Sequence, residues 1–127
     1  MRKVKLQKKS KQKISLLKRK LWSIFSSYIK RKEKNICFTC GRKSEGSGSH
    51  AGHFVPKSVG GLALYFHEGN VHCQCYNCNI NLGGNQYIYG KKLGEEKVKE
   101  LYALKSKYTK WSAEEYLEKI EHYKKLL

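Results

Sequence analysis

The chain lacks any long apolar run. A spanning helix needs about 18–20 consecutive apolar residues, and the best stretch, Leu21–Ile29, is broken by Ser23, Ser26 and Ser27. No small-residue cleavage pattern follows the basic N-terminus, which argues against a secretory signal. Without export, the expected location is the cytoplasm and the five cysteines are not expected to form disulfides. In a reducing compartment, paired CxxC spacing points instead to metal or redox chemistry. There is no internal repeat, so a solenoid is excluded. Acids are also scarce: 10 Asp and Glu face 27 Lys and Arg, a formal charge of +17. That excess needs an acidic partner, and nucleic acid is the commonest. An acidic membrane surface is the competing partner and is set aside. With 127 residues and a hydrophobic fraction of 39%, one domain with a modest core is expected, and a metal staple would help it.

Residues 1–34 carry 14 basic residues and a single acid, Glu33. Residues 1–13 have few apolar anchors and read as a disordered basic tail. The single domain then spans 14–127. Within 14–34, Ile14, Leu17, Leu21, Ile24, Phe25, Tyr28 and Ile29 recur at spacings of three and four, which predicts an amphipathic basic helix docked by its apolar stripe. Residues 35–93 form the expected core. Cys37–Gly41 opens it and a Gly/Ser-rich loop follows. Short apolar stretches at His53–Val55, Leu62–Phe66 and Asn70–Cys75 predict two short strands with a long irregular connection. A helix is expected from Cys78, disturbed by Gly83-Gly84 and carrying Tyr87, Ile88 and Leu93. Residues 94–127 are expected to form C-terminal helices. Gly94 breaks the chain, Glu95–Lys105 is helical, and Ser112 with Glu115 forms a capping box for the last helix. Tyr116, Leu117, Ile120, Tyr123 and Leu127 would be its packing stripe.

Two knuckles, Cys37-x-x-Cys40 and Cys75-x-x-Cys78, are separated by 34 residues. Each presents two thiolates to one side, and together they make the tetrahedral sulfur set that zinc prefers. One CxxC alone would be equally a redox pair. Four ligands leave no open position, so this zinc is structural. Cys73 is the odd thiol and reads as a small buried strand residue, or as a replacement for Cys75 in a shifted register.

Between and after the knuckles run Ser49–Pro56 (SHAGHFVP), Asn70–Cys75 (NVHCQC) and Cys78-Asn79. This order resembles an HNH, or His-Me finger, endonuclease. It is more closely similar to the phage recombination endonuclease family of lambda NinG, also called Rap. The resemblance is carried by Leu21–Arg31 (LWSIFSSYIKR), Cys37–Gly41 (CFTCG), Ala51–Phe54 (AGHF), Phe66–Asn79 (FHEGNVHCQCYNCN) and Gly84–Gly90 (GNQYIYG). It implies an α+β fold: a zinc-stapled, treble-clef-like ββα-metal core flanked by the basic helix and the C-terminal helices. It also implies a metal-dependent endonuclease that hydrolyses phosphodiester bonds in branched recombination DNA, such as Holliday junctions and D-loops, in an infected bacterial host. Symmetric resolution of a four-way junction would favour a homodimer.

Phosphodiester hydrolysis needs a base for water, a cation for developing charge and help for the leaving oxygen. The resemblance places His53 at the general base, where a neutral imidazole suits the task. Asn70 matches the residue that holds the base-bearing loop. Asn79 matches a ligand of the catalytic divalent ion, Mg²⁺ or Mn²⁺. The residue immediately before the base is Gly52, where many HNH sites have an acid or His. His50, three residues before the base, replaces an expected Asp and is the second candidate ligand; imidazole shifts the preference away from Mg²⁺. Asn85 matches a further family position. Lys18, Arg19, Lys30, Arg31, Lys57, Lys91 and Lys92 are the candidate phosphate contacts. Two rivals stand beside this reading. A zinc module that only binds nucleic acid explains the charge and cysteines, but not the order of His50, His53, Asn70 and Asn79. A sequence-reading HNH nuclease would need recognition elements for which this short chain has little room.

Overall fold

The computed structural model describes residues 2–105 and 107–127, with side chains from Lys13 onward. In chain order the elements are α1 (Arg2–Lys32), a 3₁₀ turn (Gly46–Gly48), β1 (Ser49–His53), α2 (Lys57–Tyr65), β2 (Val71–Cys75), a π-helical turn (Asn77–Asn81), α3 (Gln86–Leu93), α4 (Glu95–Lys105) and α5 (Ala113–Leu126). The fold is mixed α+β. Among the described residues no helix is long and apolar enough to cross a membrane.

α1 begins well before the helical start expected at residue 14. Apart from Val4 and Ser10 its first turns are Lys, Arg, Gln and Leu, all good helix formers, so propensity favours helix through the stretch that reads as a tail. From Ile14 on, the expected stripe faces inward: Leu21, Phe25 and Ile29 are buried, and Ile14, Leu17, Ile24 and Tyr28 pack beside them. They meet Tyr116, Ile120 and Tyr123 of α5, with the Phe25 and Tyr123 rings edge to face at 5.0 Å. Val71 of β2 and Phe66 close this cluster, so α1 covers one face of the sheet and α5 packs against α1. A second cluster (Phe54, Val55, Leu64, Tyr89, Leu101) ties α2, α3 and α4 to the chain leaving β1.

The sheet is a two-stranded antiparallel ribbon, with Ser49 opposite Cys75, His50 opposite Gln74, Gly52 opposite His72 and His53 opposite Val71. Three expectations shift. The first strand is Ser49–His53, not His53–Val55, so it begins in the Ser/Gly-rich stretch. The connection is not irregular: it holds α2, which is interrupted at Gly61, where φ is 72°. Apolar Leu62 and Leu64 therefore pack from a helix. The helix expected from Cys78 is only the π-helical turn; the chain passes through positive φ at Gly83, Gly84 and Asn85 before α3 starts. Glu95–Lys105 is helical as expected, and Ser112 and Glu115 form the reciprocal capping box.

The α5 stripe is narrower than its sequence suggested. Tyr116, Ile120 and Tyr123 are buried, but Leu117 and Leu127 are exposed. We expect Ile120→Ala to lower unfolding stability by about 2–5 kcal/mol, and Leu117→Ala by roughly 0.5 kcal/mol or less. Equal losses in denaturant unfolding would contradict this packing.

Candidate functional site

The Sγ atoms of Cys37, Cys40, Cys75 and Cys78 all lie within 4.8 Å of one another. Zinc–sulfur bonds of about 2.3 Å in a tetrahedron put sulfurs about 3.8 Å apart, and Cys40 and Cys75 stand at 3.7 Å. The four cysteines could therefore hold one structural metal ion such as zinc. Their acidities show the strain of so many thiols in one place. Burial pushes the Cys37 thiol up, but the Thr39 hydroxyl and the amides of Cys75, Cys40 and Thr39 outweigh it and bring it down to about 6. Cys40 is pushed up to about 12 by desolvation and by the sulfurs of Cys37, Cys75 and Cys78. Cys78 is raised by burial and by its neighbours Cys37 and Cys75. Burial and the crowding of sulfurs disfavour the Cys40 and Cys78 thiolates without a cation, and a divalent ion reverses that balance. Cys73 stands outside the cluster, its sulfur 3.5 Å from the Ser49 hydroxyl and 3.8 Å from that of Ser44. The shifted register is not formed.

His53 closes β1 on the face covered by α1. Successive strand residues point to opposite faces, so Ser49, Ala51 and His53 share this side. The His53 ring stacks on Trp22 at 5.1 Å and lies 5.0 Å from the Tyr65 ring. Its Nε2 is 2.9 Å from the Tyr65 carbonyl oxygen. A carbonyl only accepts, so Nε2 carries the proton and donates it. That leaves Nδ1 as the basic nitrogen of a neutral ring. Burial and the Lys57 ammonium bring its pKa down to about 4, against the pull of the Tyr65 carbonyl. The imidazole is thus unprotonated near neutrality.

His50 and Gly52 face the other way, toward the knuckle and α3. His50 Nε2 is buried and has no hydrogen-bond partner. Its cross-strand partner Gln74 is fully buried. The Gln74 amide is oriented by donating to the Gly84 carbonyl (2.8 Å) and the Thr39 hydroxyl (3.2 Å), so Oε1 is turned toward Gly52 and left unpaired. A Cβ on Gly52 would stand 2.0 Å from Gln74 Oε1 and 3.0 Å from Asn79 Oδ1. The missing side chain before His53 is therefore replaced in space by two carbonyl oxygens from β2 and the π-helical turn. The structure brings His50 and Asn79 to one face of the ribbon and places His53 on the other. On the Gly52 face His72 also has a buried, unpartnered Nε2, while its Nδ1 meets Glu33 at 2.6 Å. Glu33 accepts the Cys73 amide as well, fastening the end of α1 to β2.

Asn70 is fully buried and clamps the loop that follows His53. Its Oδ1 accepts from the Val55 amide (2.7 Å), and its Nδ2 donates to the Val55 and Leu64 carbonyls (3.1 and 3.0 Å). Asn85 does not enter the site: its amide donates to Cys78 Sγ at 3.6 Å. The basic residues separate into groups. Lys18 and Lys57 converge on Tyr65 beside His53, and Arg19 lines the adjoining groove with Trp22. Lys30 and Arg31 lie about 18 Å further along α1, where Arg31 donates to the Leu127 carbonyl. Lys91 and Lys92 are on the last turn of α3; Lys91 covers Tyr87, and Lys92 lines a cleft with Glu33 and Phe38. The sequence reading had not singled out Gln74, Glu33 or Trp22 for the site. The signal for Glu33 was its isolation as the one acid among the first 34 residues. Gln74 could be found only through strand register.

Two measurements bear on these sites. Metal analysis of purified protein should give about one zinc per chain; Cys75→Ser should lose the metal and most of the stability, and Cys73→Ser should keep both. The reverse pattern would put Cys73 in the metal set. For His53, the native pKa of about 4 lies below the ordinary value of 6.5, so the unfolded chain takes up the proton first. Stability from this residue is fully present above the unfolded value and is lost as pH falls toward 4. The loss is on the order of 3 kcal/mol. His53→Gln should flatten that part of the stability–pH curve relative to the parent, and unchanged slopes would refute the buried neutral imidazole.

A search of solved structures finds no match. The family model of the bacteriophage lambda NinG protein matches residues 1–127. The protein ninG of Escherichia phage lambda is 27% identical over 113 residues, covering 81% of this chain and 54% of that protein. The ninG proteins of Escherichia phage 933W and Enterobacteria phage VT2-Sa are each 26% identical over the same length, covering 55% of those chains. The present chain thus spans about half the length of the curated relatives it matches. With the family model matched from end to end, the chain belongs to the NinG family of phage proteins.

Proposed function

We propose that this protein is a metal-dependent DNA endonuclease that hydrolyses phosphodiester bonds in branched recombination intermediates. The observation that carries the proposal is the locked tautomer of His53. With Nε2–H given to the Tyr65 carbonyl, Nδ1 can take a proton from water and is unprotonated near neutrality. An imidazole in that state is what a general base requires. Asn70 supports it by fixing both ends of the chain behind it, Val55 and Leu64.

The opposite face fits a catalytic cation. His50 Nε2 and Gln74 Oε1 are buried atoms without hydrogen-bond partners, and Asn79 Oδ1 adjoins the same glycine cradle as Gln74 Oε1. A nitrogen with two oxygens suits Mn²⁺ better than Mg²⁺. When bound, the ion would supply positive charge to the phosphate oxygens. The chain's own part is to seat the phosphate across the C-terminal end of β1. Lys57 offers it an ammonium, and the His53 ring, held between Trp22 and Tyr65, keeps Nδ1 in a fixed direction. The formal charge of +17 supports a nucleic-acid substrate. The branched class of DNA and a role in phage recombination follow from the motif resemblance, and zinc in the four-cysteine cluster from its sulfur chemistry.

The test is cleavage of labelled linear duplex and four-way-junction DNA with Mn²⁺ or Mg²⁺. We expect preferential cutting of the junction, a loss of roughly 100-fold or more in His53→Ala, and a higher Mn²⁺ requirement in His50→Ala with the fold retained. The acid limb of kcat/KM for the parent should fall well below the ordinary histidine value. Absence of cleavage with every divalent ion, in protein that retains its fold and still binds DNA, would leave a zinc-type binding module instead.

A further inference from the structure

Beside His53 lies an open cleft of about 770 Å³. Its lining comes from α1, α2, the last residue of α4 and the segment after it, and it includes four lysines (Lys18, Lys57, Lys105 and Lys107) and no acid. The tyrosines Tyr65 and Tyr108 line the same space. Tyr65 is also the residue whose carbonyl holds His53 and whose ring lies 5.0 Å from the imidazole, so the cleft adjoins the candidate base across that side chain. Tyr108 is 89% exposed, the most exposed large hydrophobic side chain among the described residues, and serves no core.

Two features distinguish this cleft from a merely basic surface. First, two of its four lysines are already held over aromatic faces: Lys18 Nζ is 4.6 Å from the Tyr65 ring centre, and Lys57 Nζ is 5.1 Å from that of Trp22 and 5.4 Å from that of Tyr65. The ammoniums are thereby placed beside flat apolar rings, so a phosphate and a base can be met together. Second, the aromatic surface is useful only to a ligand with free π-faces. A duplex buries its base faces in its own stack and presents phosphates outward. An unpaired strand offers both, and stacking on aromatic side chains within a positive groove is how such strands are bound without regard to sequence. A cavity of this size takes a ligand of roughly drug size, which corresponds to a nucleotide or two and not to a helix.

We infer that this cleft is a binding site for an unpaired DNA strand, which stacks on Tyr108 and sets its phosphates against Lys18, Lys57, Lys105 and Lys107. The inference rests on the proposed nuclease reading for the choice of DNA and for the use of the site: the strand emerging from a branch point enters the cleft and carries its junction with the duplex to His53. Binding selects the substrate by its unpaired part, with no base read by hydrogen bonds.

The test is fluorescence anisotropy of the full chain with a labelled oligo-dT and with a blunt duplex of equal length, at several salt concentrations and with no added divalent ion. The parent should bind oligo-dT more tightly than the duplex, with a steep salt dependence. Tyr108→Ala should weaken oligo-dT binding by about 5-fold or more and leave duplex binding within about 2-fold. Lys107→Gln should lower the salt slope by about 1. Tyr87→Ala, at an exposed tyrosine outside the cleft, should leave oligo-dT binding unchanged. Equal affinity of the parent for both DNAs, or oligo-dT binding indifferent to Tyr108, overturns the inference even if the protein cuts DNA. Selective, Tyr108-dependent binding by a protein that cuts nothing upholds the cleft and refutes the nuclease.

Discussion

Four sulfurs within 4.8 Å of one another cannot all be thiolates unless a cation lies among them. That constraint governs the rest of the structure, because the cluster joins Cys40 to Cys75 across 34 intervening residues that include both strands. Closing a loop of that length costs roughly 3 kcal/mol of chain entropy, and a two-stranded ribbon standing alone is marginal in water. A metal in the cluster would offset the closure at the Cys75 end of β2. At its other end the buried Asn70 amide does the same with three hydrogen bonds, two to Val55 just before α2 and one to Leu64 in its last turn. The ribbon is therefore held at both ends by polar chemistry and covered on one face by α1, which α5 backs.

The proposed reaction depends on strand alternation. His53 and His50 are separated by three positions, so they must face opposite sides of β1. A ligand at either of the odd offsets before the base shares the His50 face. A phosphate attacked by water from His53 and neutralised by a cation near His50 and Asn79 has to lie across the edge of the ribbon, at the Gly52–His53 end. Gly52 suits this in two ways. It has no side chain to obstruct that edge, and the space its Cβ would occupy is filled by Gln74 Oε1 and approached by Asn79 Oδ1. The tyrosine on α3, Tyr89, donates to the Gly52 carbonyl at 2.7 Å and keeps the strand end from fraying.

Much of this was legible in the residues. The α1 stripe, the α5 capping box, Gly94 as a break and the four-cysteine set follow from local periodicity and spacing, and local rules do not depend on tertiary contacts. What was not legible depends on contacts between distant segments. The strand at Ser49–His53 has the composition of a loop, and it is a strand because β2 pairs with it and Ser49 bonds to Asn35 and approaches Cys73. Leu62–Phe66 reads as a short apolar stretch with no helical signal, and packing of Leu64 against Val55 and Leu101 makes it helical. For the site, the motif brought His50, His53, Asn70 and Asn79 forward, but the division between faces and the insertion of Gln74 required the register. The scattered lysines looked equivalent in sequence; only the fold sorts Lys18 and Lys57 from Lys30 and Lys91.

The low pKa of His53 sets a trade-off that the substrate itself would relieve. A base with a pKa near 4 is in the right protonation state but pulls weakly on a water proton. Its depression arises first from burial under Trp22 and Tyr65 and then from the Lys57 ammonium. In the proposed complex a phosphate beside Lys57 neutralises that ammonium and places negative charge near the ring, and both changes favour the imidazolium. The base would thus strengthen only when DNA is present. Stacking under Trp22 and the bond to Tyr65 keep it oriented in the meantime. An unpaired strand in the adjoining lysine-lined cleft would act in the same direction, since its phosphates approach Lys18 and Lys57 from the solvent side. Substrate choice and activation of the base would then rest on one electrostatic event, the arrival of phosphate at Lys57.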